Sequence, residues 1–256
     1  MSKEIVIKKD LSPEVKSAGE LSFVQDDVKF GTDEVSAADV RISRILLAQK
    51  MSPITDKKTS GIVAGDLYDS VTEELTVKEG ELFSFVPIHI FKTLTIQQKI
   101  NGKFEFKESH SWKPEYANLA WEETIAGVEH KNIQNINVLA VKETDLGNPA
   151  AFPVIVTFRS SSLNCGKDII ADCLQAKAKG ASSAQLTLSV ISETKTNDQG
   201  TFYIFKKKAP RLTVNYAENK ELFKKWNEMF TQGLTKVDDE SKVDQQLSGE
   251  PFTGQF

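Results

Sequence analysis

The sequence predicts a mainly β protein with accessory helices, an α+β fold whose core is an OB-fold-like antiparallel barrel. Alternating apolar and polar residues recur between positions 83 and 206, which is typical of half-buried strands. Asn101-Gly102 stands between two such runs and predicts a tight hairpin. A run at helical spacing, 162–179, separates two groups of strands. The fold class follows from these three observations.

The first seventy residues carry a weak pattern. The segment 40–49 is compatible with a strand by its alternation and with a short helix by its apolar spacing, and the sequence leaves this open. Residues 61–69 are typical of a turn region, and 71–77 alternate as a strand does. We therefore expect residues 1–70 to be an N-terminal extension packed on or flanking the barrel, followed by the main domain over 71–236.

Residues 83–97 predict a long strand covered on both faces, in which Pro87 favours a bulge or an edge position. Residues 109–134 look like an irregular connection that holds Trp112, Tyr116 and Trp121, the last more typical of a core. Strands are predicted again over 135–141 and 153–158.

A helix is predicted to begin after Ser160-Ser161-Ser162 and to end before Gly180. Residues 185–192 and 201–206 predict a second hairpin, and the spacing of Leu222, Phe223, Trp226, Met229 and Phe230 predicts a C-terminal amphipathic helix that ends at Gly233. This order is that of an OB-fold with one strand too many. A six-stranded elaboration and a different antiparallel barrel with packed helices fit almost equally well.

The composition indicates a folded protein of the cytoplasm, that of the host cell if the protein is viral. Of the 256 residues, 39% are hydrophobic and 27% charged, and neither a signal peptide nor a membrane-spanning apolar run is present. Cys165 and Cys173 fall in one predicted helix, about 12 Å apart, too far for a disulfide. We expect no bound zinc and no cofactor.

Motifs for enzymatic chemistry are not found. The run Ser162 to Lys167 resembles a phosphate-binding loop, but Ser161 stands where glycine is needed and Asp168 where a hydroxyl should hold magnesium. The histidines at 89, 110 and 130 have no second ligand at metal spacing. The sequence therefore predicts a protein that is not an enzyme.

Charge is divided unevenly along the chain. Residues 82–214 carry 16 basic and 12 acidic side chains, whereas residues 237–256 carry one basic and five acidic ones. A basic body with aromatic residues among its lysines is typical of proteins that grip single strands, since bases stack on rings and phosphates need cations. The predicted DNA-binding residues are Lys99, Lys103, Lys107, Trp112, Lys113, Tyr116, Arg159, Lys167, Tyr203, Phe205, Lys206, Lys207, Lys208 and Arg211. Alternation puts Tyr203, Phe205 and Lys207 on one face of their strand and Phe202, expected in the core, on the other.

Residues 237–256 are predicted to form a disordered acidic C-terminal tail. Its phenylalanines have no core to join, so a terminal ring could dock in a pocket of a partner whose basic rim meets the acids. The predicted partner-binding residues are Asp238, Asp239, Glu240, Phe252 and Phe256.

Three stretches together resemble replication-associated single-stranded-DNA-binding proteins of tailed phages. They are Trp112-Lys113-Pro114 through Leu119-Ala120-Trp121-Glu122, the strand Val154–Arg159 leading into Ser162-x-x-x-Gly166-Lys167, and Asn197-x-x-Gly200-Thr201-x-Tyr203. The resemblance covers about 82–236 and the acidic tail. It implies an OB-fold, a non-enzymatic role in coating single strands during replication and recombination, and recruitment of replication or recombination proteins through the tail. The tail ends in Gly254-Gln255-Phe256 instead of the familiar Pro-Phe.

Two other classes of function remain open at this stage. A structural or adaptor protein of a viral assembly would use the same aromatic residues to bury an interface. A nuclease would bind a metal ion through carboxylates. A sequence does not show whether carboxylates that are distant along the chain lie close together in the fold.

Overall fold

The computed structural model describes residues 41–50, 52–57, 60–198, 200–233 and 236–237. They form a mainly β structure with few helices, as the sequence predicted. The strands are β1 (Arg41–Ile42), β2 (Arg44–Leu47), β3 (Leu67–Asp69), β4 (Leu75–Val77), β5 (Phe83–Ile100), β6 (Lys103–Ser111), β7 (Glu122–Ile125), β8 (Val128–Lys142), β9 (Val154–Arg159), β10 (Leu186–Asn197), β11 (Gly200–Lys207), β12 (Arg211–Leu212) and β13 (Lys236–Val237). The helices are α1 (Pro53–Asp56), α2 (Leu163–Ala178) and α3 (Tyr216–Thr231).

The main sheet curls strongly into a half-barrel. Its strands follow the order β11-β10-β5-β8-β9-β2-β3-β4, with β6 also pairing with β5, β7 with β8 and β12 with β10. Gln49, just after β2, joins strands that are not neighbours in this order, because its side-chain amide donates to the Tyr203 carbonyl and accepts from the Tyr203 N–H, both at 2.9 Å. The side chain thus imitates a neighbouring strand where the curled sheet approaches itself.

The N-terminal part of the described chain belongs to this sheet. The segment left open between helix and strand is extended: β2 pairs in parallel with β9 and antiparallel with β3, so the sheet runs across position 70. The strand predicted over 71–77 is wrong for its first half. The Asp69 carboxylate accepts from the N–H groups of Val71 and Thr72, which holds a turn there and leaves β4 to begin at Leu75.

Both predicted hairpins are confirmed. Asn101 and Gly102 have φ of 52° and 81°, the two left-handed residues of a type I′ turn, and they join β5 to β6. In the second hairpin the pairing of β10 with β11 continues to Asn197 and Gly200, so its loop is shorter than predicted. A third hairpin was missed, since β7 and β8 turn at Ala126-Gly127 inside the segment expected to be irregular.

Strand β5 changes neighbours along its length. It pairs with β10 over Phe83–Phe85 and with β6 from Thr93 onward, while β8 lies along its other side. Among the described strands, only β8 pairs with the stretch between, 86–92. Pro87 lies in this stretch, at a register shift against β8, which confirms the predicted bulge.

Helix α2 fills the concave face of the half-barrel, against β8, β9 and β11. It begins after Ser162 and ends before Gly180, as predicted, but Ser162 does not cap it, because its hydroxyl instead accepts the Phe205 N–H at 3.0 Å. Gly166 allows the close approach: a Cβ added there would lie 2.8 Å from the Cβ of Phe158. The main core lies between this helix and the sheet.

Helix α3 packs on the opposite side of β5 and confirms the predicted apolar stripe. Phe223 and Trp226 are buried, and the Trp226 indole donates to the Ala151 carbonyl at 2.9 Å. The Phe230 ring lies 5.0 Å from that of Phe91 on β5. None of the helices in the described ranges is long and apolar enough to span a membrane.

Candidate nucleic-acid interface

Three aromatic side chains converge where β6 ends beside β5. His110 is the next-to-last residue of β6 and Trp112 follows its end, and the helical turn Pro114–Asn118 brings Tyr116 back toward them. The rings of Trp112 and Tyr116 meet edge to face at 6.0 Å, and those of His110 and Tyr116 lie 6.4 Å apart. All three side chains are partly exposed. We call these three residues the aromatic platform.

Two exposed lysines lie over the platform. The Lys92 ammonium is 5.4 Å from the centre of the Trp112 ring, and the Lys113 ammonium is 5.9 Å from that of Tyr116. The Trp112 N–H also donates to the Lys92 carbonyl, at 3.2 Å, which fixes the two residues side by side. Rings with adjacent cations present both elements that a single strand requires. Sequence reasoning found Trp112, Lys113 and Tyr116 and missed Lys92, because a lone lysine in a long apolar strand gives no motif.

A second group, one ring and two lysines, lies on β5, β6 and β8. The Phe104 ring has the ammonium groups of Lys131 at 4.1 Å and Lys99 at 5.8 Å. Both lysines also form ion pairs. Lys99 lies 2.8 Å from the Glu129 carboxylate, and Lys131 lies 3.2 Å from the Glu122 carboxylate. Lys99 therefore contributes less net positive potential than its place in the sequence predicts.

Most other predicted phosphate contacts are also paired with carboxylates. The pairs are Lys107 with Glu108, Lys113 with Glu115, Lys206 with Glu193, Lys207 with Asp172, and Arg211 with Glu143. Exposed pairs are weak, so a phosphate can displace the carboxylate, but the Lys207 pair is largely shielded from solvent and serves the fold. Within the described ranges Lys103, Lys167 and Lys208 are exposed and form no ion pair.

Two predicted DNA-binding residues belong to the interior. Phe205 is 4% exposed and its ring meets that of Phe158 at 5.3 Å, and Arg159 is 8% exposed. The alternation along β11 is as predicted, with 203, 205 and 207 sharing a face, but that face is the inner one. The prediction that Phe205 is an exposed stacking residue is thus wrong, because the curl of the sheet directs its side chain onto α2. Phe202, predicted as core, is only half-buried.

Tyr203 is part of the contact between β11 and Gln49 and is half-buried. Burial raises the pKa of its hydroxyl, and the nearby Glu79 carboxylate adds to the effect. The cations of β11 and β12 pair with acids of β10, of α2 and of the chain after β8. Among the predicted residues, the structure shows contacts between the rings of Trp112 and Tyr116, whereas the cations of β11 and β12 are paired with carboxylates.

The predicted partner-binding residues Asp238, Asp239, Glu240, Phe252 and Phe256 lie outside the described residues. In the part of the chain that the structure does describe, no three His, Cys, Asp or Glu side chains are grouped to hold a metal ion. Burial raises the pKa of Cys165 to about 12 and of Cys173 to about 11, so both thiols stay protonated at neutral pH.

Comparison with known families places most of the chain in a phage protein family. Residues 14–236 match the family described as Pam3 phage gp34-like protein. The chain belongs to this family. The Pam3 phage gp34-like assignment confirms the phage origin that the sequence resemblance implied, while binding of single-stranded DNA stays a prediction. No curated protein and no solved structure matches the chain.

Proposed function

We propose that this phage protein binds single-stranded DNA without sequence preference, and that it coats and protects single strands in phage DNA replication and recombination. The observation that carries the proposal is the aromatic platform with Lys92 and Lys113 at its rings. Aromatic faces accept any base, and the adjacent ammonium groups neutralise phosphates, so the same surface holds any sequence. We assign the curled sheet with α2 in its concavity to an elaborated OB-like barrel, a fold that commonly binds single strands.

A fluorescence titration with an unlabelled oligothymidylate tests the proposal. Trp112 lies in the platform, so a stacking base should change its emission. Binding should weaken as salt is raised, with a log–log slope of about −0.7 for each phosphate neutralised. An affinity that is the same at low and moderate salt would remove nucleic acid as the ligand.

Alanine variants locate the surface. Trp112→Ala and Tyr116→Ala should each lower binding by about 1 to 3 kcal/mol if a base stacks there. Phe152→Ala is the matched control, because Phe152 is 58% exposed and contacts Trp226 on α3 instead of the platform. Equal loss in all three variants would show a general surface effect and refute the platform as the site.

The acidic tail is proposed to recruit replication or recombination proteins and to compete with DNA for the cations of the body. Val237 pairs with Ile42, so the truncation should begin at Asp238. It removes five acids and one lysine. Single-strand affinity should rise at low salt, and the gain should fade as salt screens it. A truncated protein that binds DNA more weakly would contradict competition.

A role as a structural or adaptor protein of a viral assembly is the second candidate. It is favoured by a cleft of about 460 Å³ beside β4, which pairs only with β3 among the described strands. Leu75 and Leu82 line this cleft and are 40% and 50% exposed. Sedimentation velocity distinguishes the two candidates. A stable large oligomer that does not bind single-stranded DNA favours this candidate over the first.

A further inference from the structure

An apolar groove borders the aromatic platform. It lies at the open side of β5, between the end of the β10 pairing and the start of the β6 pairing, and has a volume of about 330 Å³. Ile90, Lys92 and Trp112 line it from the sheet, and Ile170, Cys173 and Leu174 from α2. This volume is at the lower end of the range for small-ligand sites.

The walls of the groove favour a flat, uncharged group. Leu174 is 59% exposed although it is a large apolar residue, and it lines the groove together with Trp112. No carboxylate is among the described side chains that line the space, and Cys173 is held as a neutral thiol by its burial. The groove therefore offers an aromatic ring and aliphatic side chains to its occupant.

Cations surround this apolar space. Lys92 lies at its sheet wall, with its ammonium over Trp112. On α2, Lys167 precedes Ile170 by three residues and Lys177 follows Leu174 by three, so both lie on the helix face that lines the groove. Within the described ranges these three lysines form no ion pair. Their charge is thus available to an anionic ligand.

We propose that this groove takes one unstacked base of the bound single strand, whose phosphates continue from Lys92 toward Lys167 and Lys177 on α2. The inference rests on the proposed function and extends it, since it adds a helix wall to the interface. The flat, uncharged face of a base between anionic phosphates matches an apolar space between cations. An acidic peptide with an apolar side chain is the competing occupant.

Fluorescence anisotropy with two labelled probes tests the proposal: an oligothymidylate, and an oligomer of the same length with abasic sugars. Leu174→Gln should weaken binding of the oligothymidylate about tenfold, the order expected for one stacked base, and should leave binding of the abasic probe unchanged. Leu174→Met should restore binding, because it restores apolar length. Leu212→Gln is the matched control, since Leu212 is 77% exposed on β12.

The outcomes separate the two proposals. A wild-type protein that binds neither probe in a salt-dependent way refutes the proposed function itself. Two results would refute the groove as the base site and leave the proposed function unaffected. In the first, the Leu174→Gln variant binds the oligothymidylate with the same affinity as the wild type. In the second, the variant loses as much affinity for the abasic probe as for the oligothymidylate. Circular dichroism melting checks the fold of each variant, and a misfolded Leu174→Gln protein is replaced by Leu174→Ser under the same criteria.

Discussion

Phe205→Ala separates packing from binding on β11. The side chain is 4% exposed, and its ring meets Phe158 at 5.3 Å with an interplanar angle of 62°. Truncating a buried phenylalanine costs about 3 to 5 kcal/mol. The edge-on pair with Phe158 is worth about 0.5 to 1.5 kcal/mol beyond the area that the ring buries, which keeps the cost from falling to the lower end of that range. We expect a loss of about 4 kcal/mol.

Urea denaturation followed by circular dichroism measures the loss. With a slope of about 2 to 3 kcal/mol/M, the midpoint should fall by about 1 to 2 M with the slope unchanged. Phe202→Ala is the control on the same strand, because Phe202 is half-buried on the opposite face. Its midpoint should fall by less than half as much.

The same two variants also report on binding. Folded Phe205→Ala protein should bind single-stranded DNA as the wild type does, since its ring does not reach the surface. A Phe205→Ala midpoint equal to that of the wild type, or a Phe202→Ala protein that is the less stable of the two, would refute the assignment of the inner face. So would a stable Phe205→Ala protein that has lost DNA binding.

Three further perturbations test the packing and the charges. Gly166→Ala should destabilise by about 1 to 2 kcal/mol in the same urea assay, because overlap with the Cβ of Phe158 at 2.8 Å outweighs a gain of about 1 kcal/mol in helix propensity. Gln49→Ala should cost about 1 to 3 kcal/mol, since it leaves a peptide group of β11 without its partner, and Gln49→Glu should not restore the loss because it removes the donor. Hydrogen bonding from Lys195 lowers the pKa of Glu193 to about 2. The stabilisation from this pairing is therefore complete above the ordinary carboxyl pKa and is lost as the pH falls from there toward 2. A carboxyl carbon NMR titration should show this value rising in Lys195→Met, and an unchanged value would contradict the pairing.

The sequence determined the features that depend on neighbours along the chain. Asn101-Gly102 set the hairpin because both residues tolerate positive φ, and apolar spacing set α2 and α3 because helical periodicity is local. The bulge at Pro87 followed from its missing N–H. The hairpin of β7 with β8 was not predicted, because Ala126, unlike Asn101, is not a residue typical of turns.

Only the tertiary structure decided which strand faces are inside. Alternation placed residues 203, 205 and 207 on one face of β11, but a period of two does not say which face meets the core. The curl of the sheet over α2 made that choice and buried Phe205. Arg159 was buried in the same way, as β9 lies between β8 and β2 at the centre of the sheet.

The candidate interface depended on contacts between distant residues. Lys92 and Trp112 are twenty positions apart and meet because β5 and β6 pair, while Lys207 meets Asp172 across 35 positions and Arg211 meets Glu143 across 68. A sequence counts charges but does not show which of them neutralise each other. The electrostatic energy depends on the distance between charges in space, and the fold sets that distance.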